Sequence, residues 1–457
     1  MRPSTCLCAL GSALAVVTSA CGRVETVESR PHVVLIVVDT LRADHVTQYG
    51  YPRPTSRALA RFDAQATRFE RCYATSSWTT PSTASIVTGL SPLRHAAEAR
   101  GSALSEEAIT LAERLAAAGW ETAGSSGNHN VTRTTGFAQG FRSFWDYQGE
   151  SDEYPDVARL LAPLEAWIPD RPVRPVFVYL QAMNVHGPYR VPEEHAADLL
   201  GTPPAATFEY SKGLMKRIMK RAELERRAEV DEAYLASHRD QYDTAVRYTL
   251  DRLAEFLARL DAKGVYDDAL IVITGDHGEE LYDHRGFGHG YTLHEEVLRV
   301  PLWIKLPRQR SGAVVSEWVS LEDLLPTILD LCGFDPPPSL DGRSLAPLLA
   351  GAPAPPPRDP FLSRTRWPGR FVGSAVVAAP WKLVRIESNY EGLADELRLY
   401  HLEEDPREET DLAAEHPDVV ARLSALLAER EGAAVDALPK VNVTESLDLD
   451  VLEALGY

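Results

Sequence analysis

The sequence predicts an α/β fold: a mostly parallel sheet covered by helices on both faces, followed by a small C-terminal α+β subdomain. The first observation behind this is three unbroken β-branched runs, His32 to Asp39 (HVVLIVVD), Val176 to Leu180 (VFVYL) and Ala269 to Thr274 (ALIVIT). A strand with one wet face alternates apolar and polar residues, whereas a run without alternation is buried on both faces, as in parallel sheets. The second is helical patterning between the runs, which gives the strand–helix alternation of a parallel sheet. The third is a change of texture after Gly351 to Pro360 (GAPAPPPRDP), beyond which short strands succeed one another.

The elements follow in chain order. Arg2 supplies a short positive segment, Leu7 to Val17 an apolar one, and Thr18-Ser19-Ala20 small residues before Cys21. That is a secretory signal over residues 1–20. Cys21 resembles the acylated cysteine of a bacterial lipobox, although Thr18 stands where Leu is usual. Residues 21–31 are a polar tether, and residues 32–350 the main domain. Within it, Thr110 to Ala118 and Ala222 to Leu260 read as helices, the second amphipathic at its end (YTLDRLAEFLARL) and stopped by Gly264. Val300 to Lys305 (VPLWIK) is a fourth strand, with Pro301 near its start. Leu321 to Leu331 is a further helix. Residues 351–360 form a Pro-rich connector, because proline lacks the donor that regular structure needs. In the subdomain, residues 361–430, Val372 to Ala378, Trp381 to Ile386 and Leu397 to His401 are antiparallel strands, and Val419 to Leu427 closes as a helix. Residues 431–457 are a tail.

Composition narrows the function. Among 457 residues, 47 Lys+Arg stand against 66 Asp+Glu, a net charge of −19. Such a chain lacks the basic face that a nucleic-acid backbone demands. With 44% hydrophobic and 25% charged residues it is globular rather than disordered. Past the signal there is no apolar run long enough to cross a bilayer. Export removes Cys6 and Cys8, and acylation uses Cys21, so Cys72 and Cys332 leave room for one disulfide at most.

In open α/β sheets, ligands bind past the carboxyl ends of strands. Asp39 ends the first run, Asn184 and His186 follow the second, and Asp276-His277 follow the third. Taken singly, each has a structural use, Asp39 as a cap and His186 as a loop histidine. Together they converge. Asp276-His277-Gly278-Glu279 presents a carboxylate and an imidazole at one strand end, where a divalent cation is a natural partner. In Ser76 to Gly89 (SSWTTPSTASIVTG), Pro81 fits the first turn of a helix and places Thr79 and Thr80 at its N-terminus, which favours an anion. A hydroxyl beside a metal and an anion site is a nucleophile.

The order VVLIVVDTLRADH, TTPSTASIVTG, NVHGPY, IVITGDHGEE, RVPLWIKLP resembles the sulfatase family of the alkaline phosphatase superfamily. The resemblance continues through SLEDLLPTILDLCG, LDGRSLAPLLAG and LYHLEEDPREETDLAAEHP, covering about residues 32 to 430. It implies the alkaline phosphatase/sulfatase-like fold and a metal-dependent ester hydrolase. The family's nucleophile motif, C-x-P-S-R-x-x-x-L-T-G, carries a cysteine converted to formylglycine. Here Thr79 occupies the cysteine position and Thr83 the arginine position. Threonine cannot become formylglycine, so Thr79 attacks as an alkoxide. The family often begins with Asp-Asp and later has Asp-Asn, an all-oxygen set suited to Ca²⁺. Here Asp39-Thr40 and Asp276-His277 stand instead, and Asp39, Thr79, Asp276 and His277 suit one Mn²⁺ or Zn²⁺ ion better.

The resemblance also assigns the surroundings. His186 matches the family's active-site histidine, and His289 (GFGHG) falls where many members use Lys to hold substrate oxygens. Asn128 or His129 (SSGNHNV) lies in the region of further oxyanion contacts. His284 reads as a loop histidine and Lys382 as structural. Lys212 to Arg227 is a basic helix, either a solvated face or a patch that draws anions towards the cleft.

These expectations make an exported hydrolase of sulfate or phosphate esters, phosphate esters and diesters favoured, working through a Thr79 covalent intermediate. The alternatives are a phospho-group transferase acting on an envelope acceptor and a non-catalytic sulfatase-like binding protein. The localisation expected is the periplasmic or cell-surface face of the envelope, with the membrane reached only through a lipid on Cys21. Cys21→Ser is accordingly expected to move the protein from the membrane fraction to the soluble one; unchanged fractionation would remove the lipid from the account.

Overall fold

The computed structural model describes residues 30–99, 101–147, 154–189, 232–352, 360–367, 371–388, 395–432 and 436–442, with single positions at 191, 192, 195 and 199. The signal segment, Cys21, nearly all of the tether, the basic stretch 212–227 and most of the Pro-rich connector lie outside the described residues.

The strands are β1 (His32–Val38), β2 (Thr67–Tyr73), β3 (Ser102–Ala103), β4 (Glu121–Ser126), β5 (Ser143–Asp146), β6 (Val176–Ala182), β7 (Ala269–Gly275), β8 (Glu280–Leu281), β9 (Phe287–Gly288), β10 (Arg299–Lys305), β11 (Ala313–Ser320), β12 (Phe361–Trp367), β13 (Phe371–Ala378), β14 (Trp381–Ser388), β15 (Glu396–His401) and β16 (Val441–Asn442). Eight of them form the main sheet in the order β11-β2-β10-β7-β1-β6-β4-β5. Its centre, β7-β1-β6, consists of the three unbroken apolar runs, paired parallel. Val33, Leu35 and Val37 enter one core while Val34, Ile36 and Val38 enter the other. Successive side chains point to opposite faces, and both faces are covered, so the strands are apolar except where a buried polar group finds a partner near the strand ends, as Gln181 and Thr274 do.

β10 runs antiparallel to both β7 and β2. Pro301 sits where its register with β2 shifts, so the missing N–H falls at an irregularity. β4 has weak strand propensity (ETAGSS) and escapes the sequence pattern. It is built from small residues because a neighbour comes close: a Cβ on Gly124 would lie 2.7 Å from the Phe144 ring. Tertiary packing overrides local preference there.

The helix Leu111–Ala117 starts at Thr110 with a capping box closed by Glu113. The helix Glu232–Ala262 buries Tyr242, Val246, Leu250, Leu253 and Phe256 against one sheet face and ends before Gly264, whose φ is +70°. The subdomain is the antiparallel sheet β12-β13-β14-β15, onto which the helix Pro417–Gly432 packs Leu423 and Leu427. The tail returns to the main domain through β16, which pairs with β3. Cys72 and Cys332 are buried thiols, and no disulfide joins them.

One charged cluster joins the two sheets. Lys382 on β14 is fully buried, 2.8 Å from Glu408 Oε1 and 3.1 Å from Glu295 Oε1. Tyr73 donates to Glu295 Oε2 (2.9 Å), and His294 Nδ1 lies 3.0 Å from Glu408 Oε2. His284 stacks on His294 with ring centroids 3.7 Å apart, and its Nδ1 is 2.7 Å from Glu296 Oε1. Burial opposes its protonation, but Glu296 raises its pKa to about 9. His284 and Lys382 thus cement the subdomain to the loop that follows β7.

Lys382→Ala leaves two buried carboxylates without their cation, a change that costs about 3–5 kcal/mol. Urea denaturation should register that loss, and Lys382→Met, which refills the volume without the charge, should remain strongly destabilised. A loss below about 1 kcal/mol, the scale of a surface pair, would contradict the role given to this cluster.

Candidate active site

Three neighbouring parallel strands end at one place. In their register Val38 lies beside Gly275, and Val37 beside Gln181, so Asp39, Asp276-His277 and Gln181 come together. Thr40, just past β1, has φ +58°, an unusual conformation for a β-branched residue. Its N–H donates to Asp276 Oδ1 (3.3 Å) and its carbonyl accepts from the Tyr242 hydroxyl (2.7 Å), which hold the sharp turn. Gly278 has to be glycine: a Cβ there would meet the Glu296 carbonyl oxygen at 1.9 Å.

The fourth component arrives on the helix Thr79–Thr88, which begins after β2 with Trp78 at the cap and no side-chain cap. Ser82 donates to the Asp276 carbonyl (2.6 Å) and fastens this helix to the end of β7. Thr79, the first helical residue, is fully buried. Its hydroxyl lies 3.3 Å from Asp39 Oδ2 and 3.3 Å from His277 Nε2, and accepts from Asn128 Nδ2 at 3.2 Å.

Asp39, Asp276 and His277 are likewise fully buried and form a group able to hold a metal ion. His277 Nδ1 donates to the Gly278 carbonyl (2.9 Å), and Nε2 faces the carboxylates. That nitrogen is 3.7 Å from Asp39 Oδ1 and 3.8 Å from Asp276 Oδ1. Asp39 Oδ2 accepts from Asn128 (2.6 Å) and Gln181 (3.3 Å), whereas Oδ1 is buried with no hydrogen-bond partner. A buried carboxylate oxygen left so is costly. Without a cation, burial and then Asp276 push the Asp39 pKa up to about 8, and burial raises Asp276 to about 7. Two carboxylates, one imidazole nitrogen and a hydroxyl fit a divalent cation.

Two more histidines line the approach. The His289 ring stands 4.6 Å from that of His277 and 4.9 Å from that of His186. His186 Nδ1 donates to the Gly187 carbonyl (2.7 Å), and His289 Nδ1 lies 3.4 Å from Glu279 Oε1, so each offers Nε2 as an acceptor. Burial, then His289, lowers His186 to about 3, and burial, then His277, carries His289 well below the usual range. Both rest as neutral imidazoles. Burial also lifts Glu279 to about 7.

The structure therefore brings Asp39, Thr79, Asn128, His186, Asp276, His277 and His289 into one centre. Asn184 does not join them; its Oδ1 accepts from Val157 N (2.8 Å) and caps the helix Val157–Trp167. His129 stands further out, its ring 5.5 Å from Tyr154, which in turn contacts His186. Gln181 is a site residue the sequence reading missed. Its signal was present: an amide in a fully buried strand (VFVYLQA), two residues from Tyr179 and so on the same face.

The sequence profile of the sulfatase family matches residues 31–334, and that of the N-sulphoglucosamine sulphohydrolase C-terminal region matches residues 275–432. The chain belongs to the sulfatase family of the alkaline phosphatase superfamily and is an ester hydrolase by class. Members of this superfamily use a divalent metal. The chain is 27% identical over 402 residues to the multifunctional alkaline phosphatase superfamily protein PehA of Trinickia caryophylli, covering 70% of this chain and 77% of that one. Arylsulfatase K of Xenopus laevis is 31% identical over 180 residues, 38% of this chain and 33% of that protein. The solved phosphonate monoester hydrolase of Agrobacterium radiobacter shares the fold, with TM-score 0.71 at 20% identity over 89% of this chain and 96% of that one.

The raised carboxylate pKa values give a pH test. Groups whose pKa is raised by folding stabilise the protein below the unfolded value and lose that contribution as pH climbs through the folded value. Metal-stripped protein should therefore lose thermal stability as pH rises from about 4, with the loss complete once pH has passed the folded values of about 7 and 8. Mn²⁺ or Zn²⁺ should restore it, and Asp276→Ala should abolish the restoration. Melting curves that ignore both pH and metal would dismiss the metal centre.

Proposed function

We propose that the protein is a metal-dependent hydrolase that cleaves phosphate esters and diesters, in preference to sulfate esters, through a covalent intermediate on Thr79. The observation that carries this reading is the buried Thr79 hydroxyl, on a helix N-terminus and 3.3 Å from both Asp39 and His277. Asp39, Asp276, His277 and Thr79 would hold the cation, and three oxygens with one nitrogen suit Mn²⁺ or Zn²⁺ better than Ca²⁺. Bound there, the ion lowers the pKa of a coordinated hydroxyl and polarises an ester oxygen.

Oγ1 of Thr79 forms a bond to phosphorus as the ester oxygen departs with its electron pair, and the Thr79 proton passes by way of a neutral histidine, His186 or His289, to that departing oxygen. The N-terminal amides of the helix and the Asn128 amide face the charge that develops on the phosphoryl oxygens. Water then attacks phosphorus, its proton passing to a neutral histidine, for which His186 Nε2 is disposed, and Thr79 Oγ1 leaves. A formylglycine enzyme expels sulfate by collapse of its geminal diol derivative. Thr79 has no second hydroxyl on its reacting carbon, so the intermediate must be cleared by attack at the central atom. A metal and a helix N-terminus stabilise the greater negative charge of a phosphoryl group more than that of a sulfuryl group.

The name of PehA, a multifunctional member of the superfamily, agrees with chemistry broader than sulfate, whereas the arylsulfatase K relatives keep sulfate esters among the substrates to be tested. The proposed location is the outer face of the envelope, a reading supported by the signal segment over residues 1–20 and by Cys21.

Turnover should be measured on aryl phosphates, phosphodiesters, phosphonates and sulfates. Phosphorus esters should be the faster substrates, with Thr79→Ala lowering turnover by about a thousandfold or more and Thr79→Ser keeping part of it. Efficient sulfate hydrolysis with negligible phosphoester activity, or full activity in Thr79→Ala, would falsify the proposal. Product appearing only when an acceptor alcohol is supplied would make the protein a transferase.

A further inference from the structure

Gln181 sits at the join of the two metal-site carboxylates. It lies near the end of β6, fully buried, and its Nε2 donates to Asp276 Oδ2 at 3.0 Å and to Asp39 Oδ2 at 3.3 Å. The orientation of the amide is set from the other side, where the Tyr179 hydroxyl donates to Gln181 Oε1 at 2.6 Å. A flipped amide would turn its carbonyl oxygen on two carboxylates. Tyr179 is itself buried two residues earlier on the same strand face, so the pair is part of the sheet core and not a mobile side chain.

The hydrogen bonds decide which oxygens remain to bind a cation. A carboxylate offers about four acceptor positions. On Asp276, Oδ1 takes two backbone N–H groups, from Thr40 (3.3 Å) and His277 (2.9 Å), and Oδ2 takes Gln181. On Asp39, Oδ2 takes Asn128, Gln181 and the Thr79 hydroxyl, and Oδ1 is left whole. Neither carboxylate has both oxygens open. Ca²⁺ takes six to eight oxygens and commonly a bidentate carboxylate, whereas Zn²⁺ and related ions accept about four ligands and one oxygen from each carboxylate.

We propose that Gln181, oriented by Tyr179, is a positioning residue that holds Asp39 and Asp276 to one ligating oxygen each and thereby sets the metal selectivity of the site against Ca²⁺. The inference rests on the metal reading given under the proposed function. Without the Gln181 amide, Asp276 is anchored through Oδ1 alone, by the His277 N–H (2.9 Å) and the longer Thr40 N–H bond (3.3 Å), so the carboxylate can turn and bring both oxygens towards a larger ion. Outer-shell groups of this kind ordinarily change metal affinity by about 10–100-fold.

The test is calorimetric titration of metal-stripped full-length protein with Mn²⁺, Zn²⁺ and Ca²⁺, with metal-dependent melting shifts as a second readout. Native protein should bind Mn²⁺ or Zn²⁺ at least about tenfold more tightly than Ca²⁺, and Gln181→Met should narrow that ratio by about tenfold. Tyr179→Phe removes only the orienting hydroxyl, should narrow the ratio in the same direction, and decides the matter where Gln181→Met fails to fold. A native protein that prefers Ca²⁺, a ratio unchanged in the folded variants, or an equal loss of affinity for all three ions overturns the role of Gln181. A native protein that binds none of the three overturns the metal reading itself, and the selectivity proposal with it.

Discussion

Two carboxylates buried side by side at the ends of neighbouring strands govern the rest of the site. Asp39 and Asp276 are fully buried, burial raises the cost of ionising both, and Asp276 adds to that cost at Asp39. Every group around them answers that constraint. Asn128 and Gln181 donate amide hydrogens, and the backbone N–H groups of Thr40 and His277 donate to Asp276. These bonds spread the negative charge without neutralising it. A divalent cation would complete the balance, and would supply the means to activate the hydroxyl placed beside it.

The constraint reaches outward into the fold. The strand ends can carry charge only because the sheet centre beneath them is entirely apolar and rigid, with two cores clamping β1, β6 and β7. The helix that carries Thr79 must approach within hydrogen-bond distance, and Ser82 ties it to the Asp276 carbonyl. The loop after β7 passes so close to its neighbour that position 278 admits no side chain. Further along, that loop is held by the Lys382, Glu295 and Glu408 cluster, so the C-terminal subdomain helps to place His289 as well as burying its own core.

Membership of the sulfatase family does not decide which central atom is attacked. The cysteine and arginine positions of the family's nucleophile motif are Thr79 and Thr83, and the Thr83 hydroxyl is buried with no hydrogen-bond partner. Both histidines at the approach are neutral. Within the described residues, the hydrogen-bond donors beside Thr79 are the N-terminal amides of its helix and the Asn128 amide. Such a site would rely on a metal for charge compensation more than one lined with lysine and arginine does.

Much of this was legible in the chain itself. Unbroken apolar runs announced a sheet buried on both faces, and the residues just past them, Asp39, Asp276 and His277, marked the site, because a parallel sheet collects its strand ends on one edge. The break of pattern after residue 350 announced the second sheet. Other features were decided only by the fold. β4 is a strand because Phe144 needs a glycine opposite it, although its own sequence argues for a loop. Asn184 and His186 stand two residues apart, yet one caps a helix and the other faces the metal site, because the chain turns between them. Gln181 was hidden for the same reason: a single amide in an apolar strand has meaning only once the strand on one side has delivered Asp39 and the third strand Asp276. Sequence determines which side chains a strand carries to its end; distance between strands, set by packing, determines which of them meet.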